Sequence, residues 1–270
     1  MKTQSKASDS PTLAIARSLA ALPRERAPRS LLPAVLKKVG LADTYWEIET
    51  PIGRIFIAHS RQGISMVSRA RSAREFERAF ERRTGRPIER AKGKPPADLR
   101  AVVAGRRKAA DAHLRFDLRG LSEFERAVLL KAFEIPRGEV RPYSWIAREI
   151  GHAGAVRATG SALAKNPVPV LIPCHRVVRS DGHLGNYSLG GPRNKRTLLE
   201  AEGAQPATLE KLAASGVRYF GNEAEKYFCF PTCGGIGDLM RENRVHFASQ
   251  RAALDAGYRP CEACRPAAVA

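Results

Sequence analysis

Three prolines, at positions 167, 169 and 173, stand immediately before a Cys174-His175 pair. Proline has no backbone N–H and clashes with the preceding helical turn, so a helix cannot pass through this stretch. The residues between the prolines are all apolar, which is typical of chain that borders a core. The pattern therefore predicts that Cys174 lies on extended chain beside the core of its domain.

A lone cysteine is most often a small buried hydrophobe, but the adjacent histidine allows a nucleophilic role. A free thiol titrates near about 8.5, so thiolate at neutral pH requires a nearby base. Neighbours on extended chain point to opposite faces, which favours a bridging water between Cys174 and His175 over direct contact. The histidine would need an orienting acid, and Asp181, Glu200 and Glu202 are candidates among which spacing does not choose.

Charge is the strongest bulk property of the chain. Lys and Arg number 46 against 27 Asp and Glu, a net charge of +19, well beyond the magnitude of roughly 2 to 8 that keeps a small domain soluble. A polyanionic partner explains the excess, and nucleic acid is favoured over membrane because no basic amphipathic segment with an aromatic face is present. No apolar run approaches the roughly 18 residues of a membrane span, and the N-terminus lacks a secretory h-region. We therefore expect a cytoplasmic, nucleoid-associated protein.

The N-terminal part divides into a basic extension, residues 1–42, and a region of short strands. The extension contains two apolar runs that can be helical, Leu13–Leu22 and Leu31–Val39. Alternating residues then predict a hairpin of strands 45–50 and 54–58, a third strand over 64–67, a helix over 72–84 with Ser72 as N-cap, and a loop over 88–96.

The following segment is predicted to be helical. Ser122 can cap a helix over 123–133, Ser144 can cap a helix over 145–150, and after Gly151 a second helix can run over 153–165. Helix, short glycine turn and helix is typical of a helix-turn-helix. The last helix is rich in Ala, Gly and Ser, which favours close approach either to a packed helix or to a DNA groove.

The remaining four cysteines form two short-spaced pairs, Cys229-x3-Cys233 and Cys261-x2-Cys264. Two such pairs can complete a tetrahedral four-thiolate zinc site, and a reducing compartment disfavours disulfides. Free or redox-active thiols are the alternative. A tail of about 60 residues with little apolar core also needs a metal to fold. His246 is interpreted as structural, because four cysteines suffice.

The string around Cys174 closely resembles the O6-alkylguanine-DNA alkyltransferase family from about Tyr45 to Gly203. The matching segments are Thr50-Pro51-Ile52-Gly53, Phe116-Asp117-Leu118-Arg119-Gly120, Ile135-Pro136-Arg137-Gly138-Glu139-Val140, Asn166 through Val177, Gly185-Asn186-Tyr187-Ser188 and Lys195 through Gly203. The resemblance implies an α/β (α+β) chain, with a ribonuclease-H-like α/β domain (43–116) followed by a mostly helical catalytic domain (117–205). It also implies irreversible, single-turnover transfer of an alkyl group from a flipped-out O6-alkylguanine to the protein, with no organic cofactor.

The same resemblance implies a role for each matching residue. Cys174 would be the alkyl acceptor, His175 the base that acts through a water, and Glu202 the acid that orients His175. Asn166 would brace the active-site segment by hydrogen bonds, and Tyr143 would donate a hydrogen bond to the departing guanine. Substrate and DNA contacts would come from Arg157, which fills the gap left by the flipped nucleotide, and from Val177, Ser188, Lys195, Ala155, Ala158 and Gly160. From the residues alone, Arg157 can equally be a phosphate contact, Tyr143 a core residue and Glu202 a surface residue.

The tail, residues 206–270, resembles the metal-binding domain of the bacterial adaptive-response protein Ada. The matching segments are Phe228 through Cys233, Arg241 through Phe247 and Ala256 through Cys264. By that resemblance Cys229 is a candidate second acceptor, for methyl from DNA phosphotriesters. The alternative functions are an alkylation-responsive DNA-binding regulator and a lesion-binding protein without repair activity; Cys174 argues against the latter. We expect a monomer that acts on double-stranded DNA containing alkylated guanine.

Overall fold

The computed structural model describes residues 28, 31–39, 42–107, 111–236 and 243–267. The chain divides into two compact units, residues 1–40 and residues 41–270. In the first unit the structure describes one helix, α1 (Leu31–Lys38). This helix confirms the second of the two predicted apolar helical runs, and the first run, 13–22, lies outside the described residues.

The second unit begins with a four-stranded sheet. Its strands are β1 (Asp43–Ile48), β2 (Ile55–Ser60), β3 (Gly63–Ser68) and β4 (Ile88–Arg90). Their order is β3-β2-β1-β4, with antiparallel pairing except between β4 and β1, which are parallel. The hairpin and third strand are confirmed. The predicted loop over 88–96 is wrong at β4, because this short strand is defined by pairing with the free edge of β1 and not by its own residue pattern.

Helix α2 (Ala73–Thr84) covers one face of this sheet. Ser72 Oγ accepts a hydrogen bond from Glu75 N at 3.2 Å, which confirms the predicted N-cap, and Gly85 ends the helix at φ +67°. The helix buries an aromatic cluster against the sheet, made of Tyr45, Phe56, Phe76 and Phe80. A second helix, α3 (Ala97–Val103), follows and was not predicted.

Helix α4 (Glu123–Phe133) has the predicted limits, and the Ser122 cap is part of a reciprocal capping box with Glu125. The two helices predicted to form a helix-turn-helix are α5 (Tyr143–Glu149) and α6 (Val156–Ala164). The prediction that Ser144 caps the first of these is wrong: Pro142 precedes the helix, and Ser144 Oγ lies 3.0 Å from Ser180 Oγ.

The predicted extended conformation at Cys174 is also wrong. A 3₁₀ turn spans Cys174–Arg176, with Pro173 as its N-cap and Arg176 N donating to Pro173 O at 2.9 Å. Proline is excluded from a helix interior but is tolerated at a helix start, so the local pattern permits this short turn. The turn leads into strand β6 (Val177–Val178), which pairs in parallel with β5 (Arg141–Pro142).

Helix α7 (Gly191–Ala201) closes the central part of the unit, and α8 (Pro206–Ala214) follows it. The C-terminal elements are β7 (Tyr219–Asn222), β8 (Tyr227–Cys229), a 3₁₀ turn (Gly234–Ile236), β9 (Arg244–Phe247), α9 (Gln250–Asp255) and β10 (Arg259–Pro260). The four strands form a sheet of order β10-β8-β7-β9. The mixed α/β class is confirmed, whereas the ribonuclease-H-like assignment and the domain limits stay predictions. Among the described residues no helix has the length and apolar character of a membrane span.

Candidate active site and metal centre

Cys174 is buried at the start of its 3₁₀ turn, 6% exposed, and Asn166 fixes the surrounding chain. The Asn166 Nδ2 group donates to Ile172 O at 2.9 Å and to the Cys174 thiol at 3.2 Å. Its Oδ1 accepts from Val168 N at 3.0 Å. One buried amide thus ties together both ends of the proline-rich segment and touches the thiol, the position that the resemblance implies.

His175 follows on the same turn and is fully buried. Its Nε2 lies 2.8 Å from Glu202 Oε1. Of the three acids that the sequence left open, the structure therefore brings Glu202 to the imidazole. Asp181 instead pairs with Arg179, and Glu200 is exposed on α7.

Arg176 completes this group and was not singled out by the sequence. Its Nε donates to Glu202 Oε2 at 2.8 Å and its Nη2 to Oε1 at 2.9 Å, while Nη1 donates to Ile135 O at 2.6 Å. A bidentate arginine fixes both oxygens of a carboxylate. The sequence indicated Arg176 only through its place in the Cys174-His175-Arg176 string. That place alone does not distinguish an arginine that binds a buried carboxylate from an arginine on the surface.

Burial and pairing set the protonation states of this group. Burial lowers the pKa of His175 despite the opposing effect of Glu202, and burial raises the pKa of the Cys174 thiol. Burial alone would raise the pKa of Glu202, but hydrogen bonds from His175 and Arg176 outweigh it and lower that pKa to about 2. A shift of this size is worth about 3 kcal/mol in favour of the charged carboxylate. The resting site thus contains a neutral thiol, a neutral imidazole and a charged Glu202.

The hydrogen-bond pattern also assigns the imidazole tautomer. Facing a carboxylate, Nε2 carries the proton, which leaves Nδ1 with its lone pair. Among the residues that the structure describes, Nδ1 is buried and has no hydrogen-bond partner. A buried acceptor without a protein partner is the environment expected of a nitrogen that binds a water, as the predicted water bridge to Cys174 requires.

Two tyrosines border the thiol. Tyr143, the first residue of α5, is half-buried, and burial together with the nearby Cys174 raises the pKa of its hydroxyl. A Cβ at Gly160 on α6 would lie 3.9 Å from the Tyr143 ring, an ordinary van der Waals distance, so the half-buried Gly160 lies beside this ring but the packing does not require a glycine. Tyr187 was missed in the sequence; it is buried, with its ring centroid 6.0 Å from that of His175.

Lys195 lies in the interior and not on a surface that faces DNA, contrary to the predicted contact. Its side chain is fully buried, and Nζ donates to the carbonyl oxygens of Val177 and Leu184. Burial lowers its pKa to about 8. The carbonyl of Val177, a residue predicted to contact the substrate, is therefore already bonded to an ammonium. Lys195 thus connects the strand after the thiol to the loop before α7.

The other predicted DNA contacts lie at or near the surface. Arg157 and Ala158 are exposed on α6, and Ser188 is exposed in the loop before α7. Helix α6 begins at Val156, later than predicted, so Ala155 is its half-buried N-cap. The structure thus presents one arginine on a helix of small residues next to the segment that carries the thiol.

The four remaining cysteines meet in one place. The sulfur atoms of Cys229, Cys233, Cys261 and Cys264 all lie within 4.8 Å of one another, and all four residues are buried and free of disulfides. Tetrahedral zinc with Zn–S bonds of about 2.3 Å holds thiolates slightly under about 4 Å apart, so the donor set fits this ion. His246 is exposed and outside the cluster, its ring 5.1 Å from that of Phe220.

Comparison with known proteins identifies two family matches. Residues 123–204 match the DNA-binding domain of 6-O-methylguanine DNA methyltransferase, and residues 208–267 match the metal-binding domain of Ada. A methylated-DNA–protein-cysteine methyltransferase of Mycobacterium bovis is 36% identical over 168 residues, which cover 61% of this chain and 96% of that protein.

Two further proteins are similar to this chain, one over a short segment and one over most of its own length. The rat methylated-DNA–protein-cysteine methyltransferase is 49% identical over 89 residues, which cover 32% of this chain but only 43% of the rat protein. The crystal structure of Mycobacterium tuberculosis OGT in complex with DNA is 31% identical, with a TM-score of 0.47, and the match covers 62% of this chain and 99% of that one.

Proposed function

The chain belongs to the methylated-DNA–protein-cysteine methyltransferase family, and from this premise we propose that it repairs DNA by transferring an alkyl group from O6-alkylguanine to Cys174. The observation that carries the proposal is a buried thiol, braced by Asn166, next along the chain to a buried imidazole whose Nε2 is held by Glu202. This arrangement supplies a nucleophile, a base and an orienting acid.

In the proposed reaction the Cys174 thiol gives its proton through a water to His175 Nδ1. The sulfur attacks the alkyl carbon as the bond from that carbon to guanine O6 breaks, and the electron pair leaves with the guanine. Glu202 stabilises the imidazolium that forms, and the Tyr143 hydroxyl donates a hydrogen bond to the departing base. Overall the thiol proton passes to guanine and a thioether remains. Because a thioether has no hydrolytic exit, each molecule reacts once at Cys174.

Access to O6 in a duplex requires that the base leave the stack, at a cost of a few kcal/mol. We assign Arg157 on α6 to the gap that the base leaves, since an exposed arginine on a helix of small residues can enter a minor groove. Ser188 and the backbone at Cys174 would meet the flipped base. Lys195 would act indirectly by holding the loop that carries Ser188, because its ammonium is bound to backbone carbonyls.

The net charge of +19 supports a DNA duplex as the partner, through release of counterions from the phosphate backbone. Cys229, Cys233, Cys261 and Cys264 would hold zinc. When bound, the ion would cross-link four thiolates and so stabilise the C-terminal fold.

The test is a stoichiometry measurement with a duplex oligonucleotide that contains O6-methylguanine. We expect each protein molecule to restore one guanine and then to leave a second portion of substrate unchanged. Repeated turnover, or no loss of O6-methylguanine, would contradict the proposal. The variant Cys174→Ser, which lacks the proposed acceptor thiol, should leave the O6-methylguanine unchanged.

A further inference from the structure

The described C-terminal residues, 219–236 and 243–267, which we call the zinc module, pack against helix α5 and strand β5 and are not a separate appendage. The buried residues of the four-cysteine cluster belong to the same hydrophobic core as Trp145 on α5 and Cys174 itself. The contacts fall into two groups, one on helix α5 and one on strand β5 and the chain before it.

The first group centres on Trp145, which is 4% exposed. Its indole Nε1 donates to the carbonyl oxygen of the cluster residue Cys264 at 3.0 Å. The guanidinium groups of Arg141 and Arg265 each lie 5.9 Å from its ring. A buried indole N–H needs a partner, and here the partner is the backbone of a predicted metal ligand.

The next turn of α5 adds charged contacts. Arg148 donates to Pro266 O at 3.2 Å and also to Arg265 O. Arg265 Nη2 pairs in return with Glu149 at 2.7 Å. Helix α5 is therefore held to the last cysteine and to the two residues that follow it.

The second group joins the zinc module to β5 and the residues before it. Val140 N donates to Thr232 Oγ1 at 2.9 Å, and Gly234 N donates to Glu139 Oε1 at 3.1 Å. The buried Arg141 guanidinium lies 5.3 Å from the Phe230 ring. Three residues that follow Cys229 along the chain thus contact the segment that leads into α5.

Both contacted elements lead directly into the reactive site. Strand β5 pairs with β6, and β6 begins at the residue after the Cys174–Arg176 turn. Helix α5 begins with Tyr143. The four-cysteine cluster is therefore connected to the Cys174–Arg176 turn through the β5–β6 strand pair. Through helix α5 it is connected to Tyr143, the proposed hydrogen-bond donor to the departing guanine.

We propose that the zinc module is a positioning clamp that holds β5 and Tyr143 against the Cys174 turn, and that Cys229, buried within this module, is not a second methyl acceptor. The positioning part of the proposal rests on the function assigned to Cys174. Cys229 is 0% exposed, and its neighbours Phe228 and Phe230 are buried with it. In-line attack on a methylphosphotriester requires a sulfur that a DNA backbone can reach, which this environment does not offer. This proposal differs from the acceptor role that the resemblance to Ada implied.

The first experiment uses the full-length, zinc-loaded chain and two conservative variants. Trp145→Phe removes the indole N–H but keeps an aromatic ring, and Thr232→Val removes the hydroxyl bond to Val140. We expect zinc content to be unchanged, DNA affinity to change less than about twofold, and the rate constant of transfer at saturating DNA to fall about tenfold or more, because small misplacements of reacting groups are costly. Arg251→Ala, in which an exposed arginine of the same module is lost, is the matched control and should retain the wild-type rate.

The structural readout is hydrogen exchange of the backbone amides, before and after zinc is removed from the full chain with a chelator. We expect faster exchange in residues 139–149 as well as in the module, with residues 55–60 of the N-terminal sheet unchanged. If only the module loosens, or if both variants react at the wild-type rate, the clamp is refuted. A wild-type chain that leaves Cys174 unalkylated would overturn the proposed function, whereas the exchange pattern would still report on the clamp.

The second part is tested with an oligonucleotide that carries a methylphosphotriester and no alkylated base. Peptide mass mapping of the zinc-loaded chain should show no methyl group on the peptide that contains Cys229. A methylated Cys229 at the stoichiometry of the protein would overturn this part.

Discussion

His175 and Glu202 lie 27 residues apart in sequence and are joined by a hydrogen bond of 2.8 Å between His175 Nε2 and Glu202 Oε1. The carboxylate is also held by Arg176 through both of its oxygens. Glu202 therefore cannot rotate away from the imidazole without breaking a bidentate ion pair, and the imidazole retains one nitrogen, Nδ1, for proton transfer.

The substitution Glu202→Gln removes the negative charge that stabilises the imidazolium of His175. General base catalysis contributes about 100-fold or more, so we expect the rate constant of alkyl transfer to fall about 100-fold, with little change in DNA affinity. Rapid-quench kinetics under single-turnover conditions measure both quantities. Glu200→Gln, which removes the exposed neighbouring carboxylate, is the control. Equal rates for Glu202→Gln and the wild-type protein would show that the acid has no role in transfer.

The low pKa of His175 makes a prediction about pH. Because burial holds this pKa below the ordinary value of 6.5, the folded protein keeps a neutral base as the pH falls through 6.5. We expect no decline of the transfer rate as the pH falls from 7.5 to 6.5, and a decline only at lower pH. The unfolded chain takes up this proton first, so the same group lowers the free energy of unfolding as the pH falls below 6.5. A rate that already declines between pH 7.5 and pH 6.5 as the pH falls would contradict the assignment.

Asn166→Ala tests the brace at the thiol. The variant removes one hydrogen bond to the Cys174 thiol and two to the backbone of the proline-rich segment. Because the hydrogen bond from Asn166 lowers the pKa of the Cys174 thiol, its loss should raise that pKa further. Transfer should be about tenfold slower, because a hydrogen bond worth about 1 kcal/mol is lost and the sulfur is misplaced. The rate of thiol alkylation by iodoacetamide across pH gives the first effect, and single-turnover kinetics give the second. Unchanged thiol reactivity would argue that Asn166 is purely structural.

Arg157→Ala separates the handling of DNA from the chemistry. If Arg157 occupies the gap left by the flipped base, its loss should slow transfer from a duplex about tenfold or more and leave reaction with the free base O6-benzylguanine unaffected. Arg78→Ala, on the exposed face of α2, is the control. If the duplex reaction and the free-base reaction slow to the same extent, Arg157 stabilises the structure of the reactive site and does not fill the gap in the DNA.

The features that the sequence predicted well are those that depend on neighbouring residues. Ser72 and Ser122 each cap a helix within their own first turn, and the hairpin around 51–53 depends on a local alternation. The missed features depend on distant partners: β4 needs the edge of β1, and the position of α5 on the zinc module needs contacts over more than a hundred residues. For the same reason spacing did not choose Glu202 among three acids. The resemblance to a known family did so, and the structure then brought that residue to His175.

Cys174 is the proposed alkyl acceptor, and peptide mass mapping after reaction with an O6-methylguanine oligonucleotide locates the transferred methyl group. We predict that the intact chain gains the mass of one methyl group, that the gain maps to the peptide containing Cys174, and that Cys174→Ser shows none. A chain without mass gain, or a gain that persists in Cys174→Ser, would contradict the account.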